Sequence, residues 1–343
     1  MNNENYLLNM DFFEKYSSIT SVRIRKSSLE NPLFAVAIPT YGRAELLKEA
    51  IYSCIGQSFR EPFKIIVVDN DPVRNNETEQ LIESITDERL EYYKNSENIG
   101  CLGNFNRCIE LTDSEYMIML HTDDVLSADY LEKLVPVIRR NPGIDMLIPG
   151  KRIIRNNSSE RHKGYSALAG YTGLRHKGVR LNVMDFCMYN ITGGPLGIIM
   201  RRSMCIELGG FNESLFPMSD YSFWVRAALQ YNVVLLPMLL GDYRFIDNIS
   251  SGDGMQLGYI TNEFKLIGSI IEDMKNKRSM QIYLNEYIRY RLRKSKLYSH
   301  ERFVSITNES RVSGFWKKPV YYGVILKMAF SYIRRALSSD IKA

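Results

Sequence analysis

Carboxylates mark two places where an apolar run stops. Asp69 follows KIIVV (64–68), and the adjacent pair Asp123 and Asp124 follows YMIMLHT (116–122). A single aspartate after a strand is usually a turn former or a helix cap. Two adjacent carboxylates repel each other, and that repulsion becomes useful where a divalent cation and a diphosphate share the site. A further carboxylate, Asp220, opens the helical pattern SDYSFWVRAALQYN (219–232), where the macrodipole alone favours an acid. The four histidines form no ligand spacing, and His121 reads as a structural neighbour of the acidic pair. The five cysteines include no close CxxC pair, and four lie in apolar segments, so they read as reduced core residues of a cytosolic protein.

The elements that must position these groups follow from periodicity. LFAVAIP (33–39), FKIIVV (63–68), LEYYKN (90–95) and YMIML (116–120) read as strands. Between them, residues 46–55, 78–85 and 102–111 carry apolar side chains at helical spacing. Short strands that are apolar on both faces and alternate with helices predict an α/β fold, a mostly parallel sheet covered on each side. Ligands of such sheets bind beyond the carboxyl ends of the strands, where the carboxylates stand. Next come a helix over 128–142, a polar loop near 151–180, a glycine-marked turn and strand in ITGGPLGIIMRR (191–202), and a strand over 233–245. SSGDG (250–254) reads as a linker to basic helices. The expected organisation is an N-terminal extension over 1–30, a catalytic domain over 31–250 and a basic helical region over 251–343.

A chain of 343 residues with 45% hydrophobic content buries a sizeable core, which excludes disorder as the leading reading. The start of the chain lacks the basic region and apolar run of a secretory signal. No stretch reaches the roughly 18 uninterrupted apolar residues of a spanning helix. The net charge of +5 is unevenly distributed: residues 251–343 hold 17 Lys+Arg against 8 Asp+Glu, leaving 27 against 31 in residues 1–250. This basic part contains Arg289, Arg291, Arg293, Lys294 and Lys296, then Phe315, Trp316, Lys317 and Lys318, and finally VYYGVILKMAFSYIRRAL (320–337). Interleaved aliphatic and aromatic residues suit an anionic membrane surface, so peripheral membrane contact is expected and a nucleic-acid partner is not.

IPTYGR (38–43), VVDN (67–70), ENIG with NFNR downstream (97–107), LHTDD (120–124), GGF (209–211) and SDYSFWVR (219–226) occur in an order and spacing that resembles glycosyltransferase family 2, with its GT-A fold. The resemblance covers about two-thirds of the chain. It implies an inverting transfer from a nucleotide-sugar donor, UDP- or dTDP-linked, to a saccharide acceptor, lipid-linked in bacterial surface-polysaccharide assembly at the cytoplasmic face. By the same resemblance, Pro39, Thr40, Tyr41 and Arg43 line the nucleotide, Asp69 accepts from the base, and Asn98 and Gly100 shape the next wall. Asp123 faces ribose and sugar, Asp124 binds Mg²⁺ or Mn²⁺, Asp220 is the general base, and Arg244 is a phosphate contact. Gly194 and Trp224 are acceptor-side candidates, Trp224 as core or pocket wall, and Arg226 is expected to pair with a carboxylate.

Four positions depart from the family pattern. Ser219 stands where Glu is usual, Thr122 where Asp is common, Phe105 where Arg is frequent, and Ile246 where His is expected. Ser219 and Ile246 motivate the alternative of a catalytically degenerate relative that binds carbohydrate or a partner. A nicotinamide oxidoreductase is disfavoured because IPTYGR, and no GxGxxG, joins the first strand to its helix. A nucleotidyltransferase is disfavoured because no glycine-rich, Lys/Arg-bearing loop follows that strand. The segment 150–200 is expected to carry sugar specificity.

Overall fold

The computed structural model describes residues 10–155, 161–164, 177–188, 191–192, 194–245, 252–272, 274–308 and 317–342. Strand β2 (Phe34–Thr40) is apolar on both faces because both are covered. Phe34, Val36 and Ile38 enter one hydrophobic cluster, and Ala35 and Ala37 enter the other, as a strand period of two requires. Strand β3 (Lys64–Asp69) divides in the same way, Ile65 and Val67 from Ile66 and Val68. Helices α1 (Ala44–Ile55), α2 (Glu77–Ser84) and α4 (Tyr130–Arg140) cover the first face, and α3 (Gly100–Leu111) covers the second.

Strands β4 (Leu90–Asn95), β3, β2 and β5 (Tyr116–Met119) lie side by side in that order and run parallel. The chain moves from β2 through β3 to β4 in one direction and places β5 on the opposite side of β2. That reversal opens a crevice between the carboxyl ends of β2 and β5, which is where an open α/β sheet takes its ligand. The rest of the 11-stranded sheet is largely antiparallel. Strand β10 (Ile198–Arg201) runs antiparallel between β5 and β7 (Met146–Arg155), while β11 (Val233–Phe245) is parallel to β7 and antiparallel to β6 (Val125–Leu126) and β9 (Val179–Leu181).

Two segments differ from their sequence reading. The polar stretch after 150 is not a plain loop: β7 continues to Arg155 and pairs with β8 (Arg161–Gly164). The N-terminal extension contributes β1 (Ser21–Arg25), an antiparallel edge strand on β4. Its partly exposed SVRIR sequence, with two arginines, gives an edge strand no apolar signature.

Helices α5 (Val183–Met188), α6 (Arg202–Glu207) and α7 (Ser219–Gln230) join the α3 side of the sheet. The C-terminal helices α8 (Asp253–Glu272), α9 (Lys277–Lys294), α10 (His300–Thr307) and α11 (Lys317–Ser338) share that same core through Ile260, Leu266, Tyr283, Ile288, Phe303 and Tyr332. Tyr221 of α7 packs against Tyr259 of α8. Glu263, fully buried on α8, accepts hydrogen bonds from Tyr287 and Arg291. Beyond α11 the chain returns to the sheet, where Gly178 donates to the Ile341 carbonyl and Ile341 is buried in the α1 and α4 cluster. No helix among the described residues is long and apolar enough to cross a membrane.

Candidate active site

The first wall of the crevice is built from the ends of β2, β3 and β4. Pro39 is tolerated in a central strand because the β2 ladder to β5 has already ended at Ala37; its carbonyl accepts from the Thr122 hydroxyl. Thr40 is buried, and its hydroxyl donates to the Gly42 carbonyl, closing a turn in which Gly42 (φ 64°) and Arg43 (φ 57°) are both left-handed. No atom lies within 4 Å of a Cβ built at Gly42, so backbone conformation, not space, favours glycine there. The turn leaves Tyr41 61% exposed on the rim and sends the Arg43 guanidinium to Asp123 Oδ2 at 3.4 Å.

Asp69 pairs in register with Lys94, so Lys94 and Tyr92 share its face of the sheet. Both donate to Asp69 Oδ2 at 2.8 Å, and Oδ1 accepts the Asp71 N–H at 3.0 Å. The carboxylate has no exposed surface. Its neighbour Asn70 ties the next loop down: Nδ2 donates to Asn98 Oδ1 and to the Gly100 carbonyl, while Oδ1 accepts from Asn95 and from the Ile99 N–H. Asn98 also caps the turn at Gly100 (φ 75°), which starts α3. The anchoring role of Asn70 is invisible locally, because all its partners lie 25 or more residues away.

The second wall carries the acidic pair. His121, Asp123 and Asp124 each offer a ligand atom, all within 4.8 Å of one another. Asp124 is buried; its Oδ1 accepts the Arg244 N–H at 2.9 Å, while its Oδ2 has no hydrogen-bond partner. Burial raises the Asp124 carboxyl well above the ordinary range, the Arg244 N–H opposes that rise, and the Asp123 charge adds to it. Burial lowers His121 and keeps its imidazole neutral, the form that ligates metals. His121 Nε2 is also buried without a partner. A buried orphan oxygen costs about 1–3 kcal/mol, and here it sits beside a second carboxylate and a neutral imidazole, a donor set that fits a divalent cation. His121, read from sequence as structural, therefore stands among the candidate ligands.

Lys151 was missed in the sequence. Its ammonium donates to the Gly194 carbonyl at 2.9 Å and lies 5.3 Å from the Tyr243 ring centroid. Burial lowers its pKa, while the charges of Asp124 and Asp220 oppose the decrease. It thus links the acidic pair electrostatically to the third carboxylate. Asp220 lies in the first turn of α7 and accepts the Tyr221 N–H at 2.7 Å. Burial raises its pKa, which that hydrogen bond and Lys151 partly counter. Arg43, His121, Asp123, Gly194, Asp220 and Arg244 all line one cleft of about 330 Å³. The Arg244 guanidinium also pairs with Glu49 at 2.6 Å.

Other expected residues sit behind this surface. Trp224 is wholly buried, packed edge-on against Phe211 and Phe223, so of its two anticipated places it takes the core. Among the described residues Arg226 pairs with no carboxylate: its guanidinium donates to the carbonyls of Leu208 and Gly210 and holds the GGF turn. Asn106 of NFNR exchanges two hydrogen bonds with the Phe211 backbone, so these two motifs clamp each other. Ile246 and much of 150–200 lie outside the described residues.

Residues 35–207 match the model of glycosyl transferase family 2. This chain belongs to that family. An uncharacterised glycosyltransferase of Methanocaldococcus jannaschii is 27% identical over 220 residues, 63% of this chain and 72% of that one. Among solved structures, S. aureus TarS 1–349 in complex with UDP-GlcNAc superposes with a TM-score of 0.59 at 16% identity, covering 89% of this chain and 83% of that one. The Pyrobaculum calidifontis mannosyltransferase PcManGT, in complex with GDP-Man and Mn²⁺, gives 0.54 at 15% identity, covering 92% and 88%. The family 2 chain thus has the GT-A architecture, with parallel strands at the first wall and antiparallel strands around the second.

Proposed function

We propose that this glycosyltransferase is a divalent-metal-dependent, inverting enzyme that moves a sugar from a UDP- or dTDP-sugar to a saccharide acceptor. One observation carries the reading: of the cation-type cluster His121, Asp123 and Asp124, the first two line the same cleft as a separate carboxylate, Asp220, with Asp124 buried beside them. Mg²⁺ or Mn²⁺ held by Asp124, with Asp123 and His121 beside it, supplies charge neutralisation for the departing nucleoside diphosphate. The Mn²⁺ and GDP-Man bound to PcManGT, and the UDP-GlcNAc bound to TarS, support a site of this class.

The chain's own residues do the rest. Asp220, its pKa raised by burial, takes the proton of the acceptor hydroxyl. The hydroxyl oxygen bonds to the anomeric carbon as the bond to the diphosphate oxygen breaks, and the leaving group keeps the electron pair. A single displacement inverts the anomeric centre. Arg43, its guanidinium at Asp123, and Arg244, on the cleft wall with its guanidinium at Glu49, offer positive charge to the diphosphate, while Tyr41 offers an exposed ring for the base. The N3–H of uracil or thymine needs an acceptor. Asp69 Oδ1 takes one N–H in the structure and retains lone-pair capacity, and the 69–71 turn must shift to admit the base. Gly194, on the cleft wall, borders the acceptor, and we assign that acceptor to a lipid-linked saccharide at the inner face of the membrane. Calorimetric titration with UDP, dTDP and GDP in Mn²⁺ tests the donor; tighter binding of GDP overturns it. Retention of the donor's anomeric configuration in the product overturns the single displacement.

A further inference from the structure

Most large apolar side chains exposed on this molecule are scattered, but Tyr322, Leu326, Phe330 and Leu337 are 59%, 57%, 69% and 62% exposed on a single helix, α11. The spacing of i, i+4, i+8 and i+15 places them on one stripe, about 22 Å long at 1.5 Å rise per residue. The stripe is not the face that holds α11 to the protein. That role belongs to Met328, Tyr332 and Ala336, buried in the core, and to Arg335, which donates to Asp185 of α5 at 2.6 Å. The helix is therefore apolar on two faces, one packed and one turned to solvent.

The charges that α11 itself carries are of one sign. Lys327 and Arg334, seven residues apart, are exposed along its flank, Lys318 is exposed near its start, and residues 317–338 contain no Asp or Glu. From these placements we infer that the outer face of α11 is a docking surface for an anionic lipid leaflet, the helix lying in the interface with Tyr322, Leu326, Phe330 and Leu337 among the acyl chains. Pairing with a second copy is the poorer match, because an isologous contact sets Lys318, Lys327 and Arg334 against their own kind with no carboxylate on the face to offset them. A leaflet supplies the anions instead. Not every basic residue of the C-terminal region takes part: Arg289 is buried over the Phe303 ring and Arg291 is held by Glu263, while Phe315 and Trp316 lie outside the described residues. Fixed to the core through Tyr332 and Arg335, α11 would hold the cleft at one orientation to the leaflet. The inference rests on the reading that the acceptor is lipid-linked.

The test is sedimentation of the full-length protein with vesicles of phosphatidylcholine alone or mixed with phosphatidylglycerol, at low and high salt. Binding to the anionic vesicles only, weakened by salt, is expected. Lys327→Glu with Arg334→Glu is expected to weaken it by at least about tenfold, each basic residue near an anionic leaflet contributing roughly fivefold. Leu326→Glu with Phe330→Glu should abolish it. All four positions are exposed, and UDP affinity in Mn²⁺, unchanged in both variants, checks the fold. Wild type that ignores the anionic vesicles, or a Leu326→Glu/Phe330→Glu protein that still binds them, overturns the docking surface. So does a dimer dispersed by those substitutions in a protein that never binds lipid. Vesicle binding without transfer to a lipid-linked saccharide would instead overturn the acceptor reading and leave the surface standing.

Discussion

The two walls of the cleft differ in how their buried polar atoms are satisfied. On the first wall, Asp69, Asn70, Asn95 and Asn104 are buried and hydrogen-bonded to one another's strands and loops. On the side of the acidic pair, His121 Nε2, Asp124 Oδ2 and Ser219 Oγ are buried without hydrogen-bond partners among the described residues. Satisfied networks fix a shape; orphaned atoms store a cost that ligands relieve. In the proposed mechanism the first wall is recognition built into the fold, and the second is a set of groups whose partners arrive with the reaction. Activity and stability should therefore respond oppositely in the two places.

The comparison is tested hardest at Asp124. Asp124→Ala is expected to abolish transfer, a loss on the order of 10³-fold or more, by removing the cation's principal ligand. Full activity of the wild type after exhaustive chelation breaks the second-wall reading. Next, Asp220→Asn keeps size and helix position but takes no proton, so turnover should fall by about 10² to 10⁴ while UDP affinity holds. Normal turnover would send the search for a base elsewhere.

Stability sharpens the contrast. Asp69→Ala leaves Lys94 buried without its anion and is expected to cost about 3–5 kcal/mol in denaturant unfolding. Asp124→Asn, in metal-free protein, removes a carboxylate that burial disfavours and should be neutral or stabilising by on the order of 1 kcal/mol. Equal losses at both positions would erase the distinction between the walls.

The smallest effect is one of pH. As the proposed base Asp220 must be ionised to act, and burial raises its pKa, so the acid limb of kcat/KM should lie above the ordinary aspartate range and be absent from the residual activity of Asp220→Asn. Lys151 opposes that rise, and the Asp220 charge in turn raises the pKa values of Tyr243, Tyr259 and Cys101. The stability linkage has a matching sign. A carboxyl with a raised folded-state pKa contributes stability below its unfolded value and loses it as pH rises through the folded one. Asp220→Asn should therefore raise the Tm at neutral pH more than at pH 4.

The first wall was the more legible in the sequence. Strands β2, β3 and β5 are short apolar runs because both faces are covered, and their predicted ends fall within about a residue of the observed ones. Only the KRIIR end of strand β7 (151–155) reads as loop, because its basic residues interrupt the apolar run before it. Lys151 had no local signal, since its significance comes from Asp124 and Asp220, separated from it by 27 and 69 residues and joined only by the antiparallel half of the sheet. The cage around Asp69 depends on the β3–β4 register, which no single-strand pattern encodes. Arg226 looked like a partner for a carboxylate, yet the GGF turn offers two buried carbonyls that claim it first.

The hydrogen bond from the Arg244 N–H to Asp124 Oδ1 spans 120 residues, and it bears on the order of assembly during synthesis. A chain leaving the ribosome N-terminus first has every residue of the nucleotide wall by Asn104, but Asp124 gains this partner only after residue 244 has emerged and β11 has come alongside β6. Closing so long a loop is among the slower events in folding, because the chain entropy is lost before the contact forms. Under the proposed metal role, Mn²⁺ capture should consequently appear only once residue 244 has emerged, which makes metal affinity a reporter of β11 pairing in a translation-arrest series.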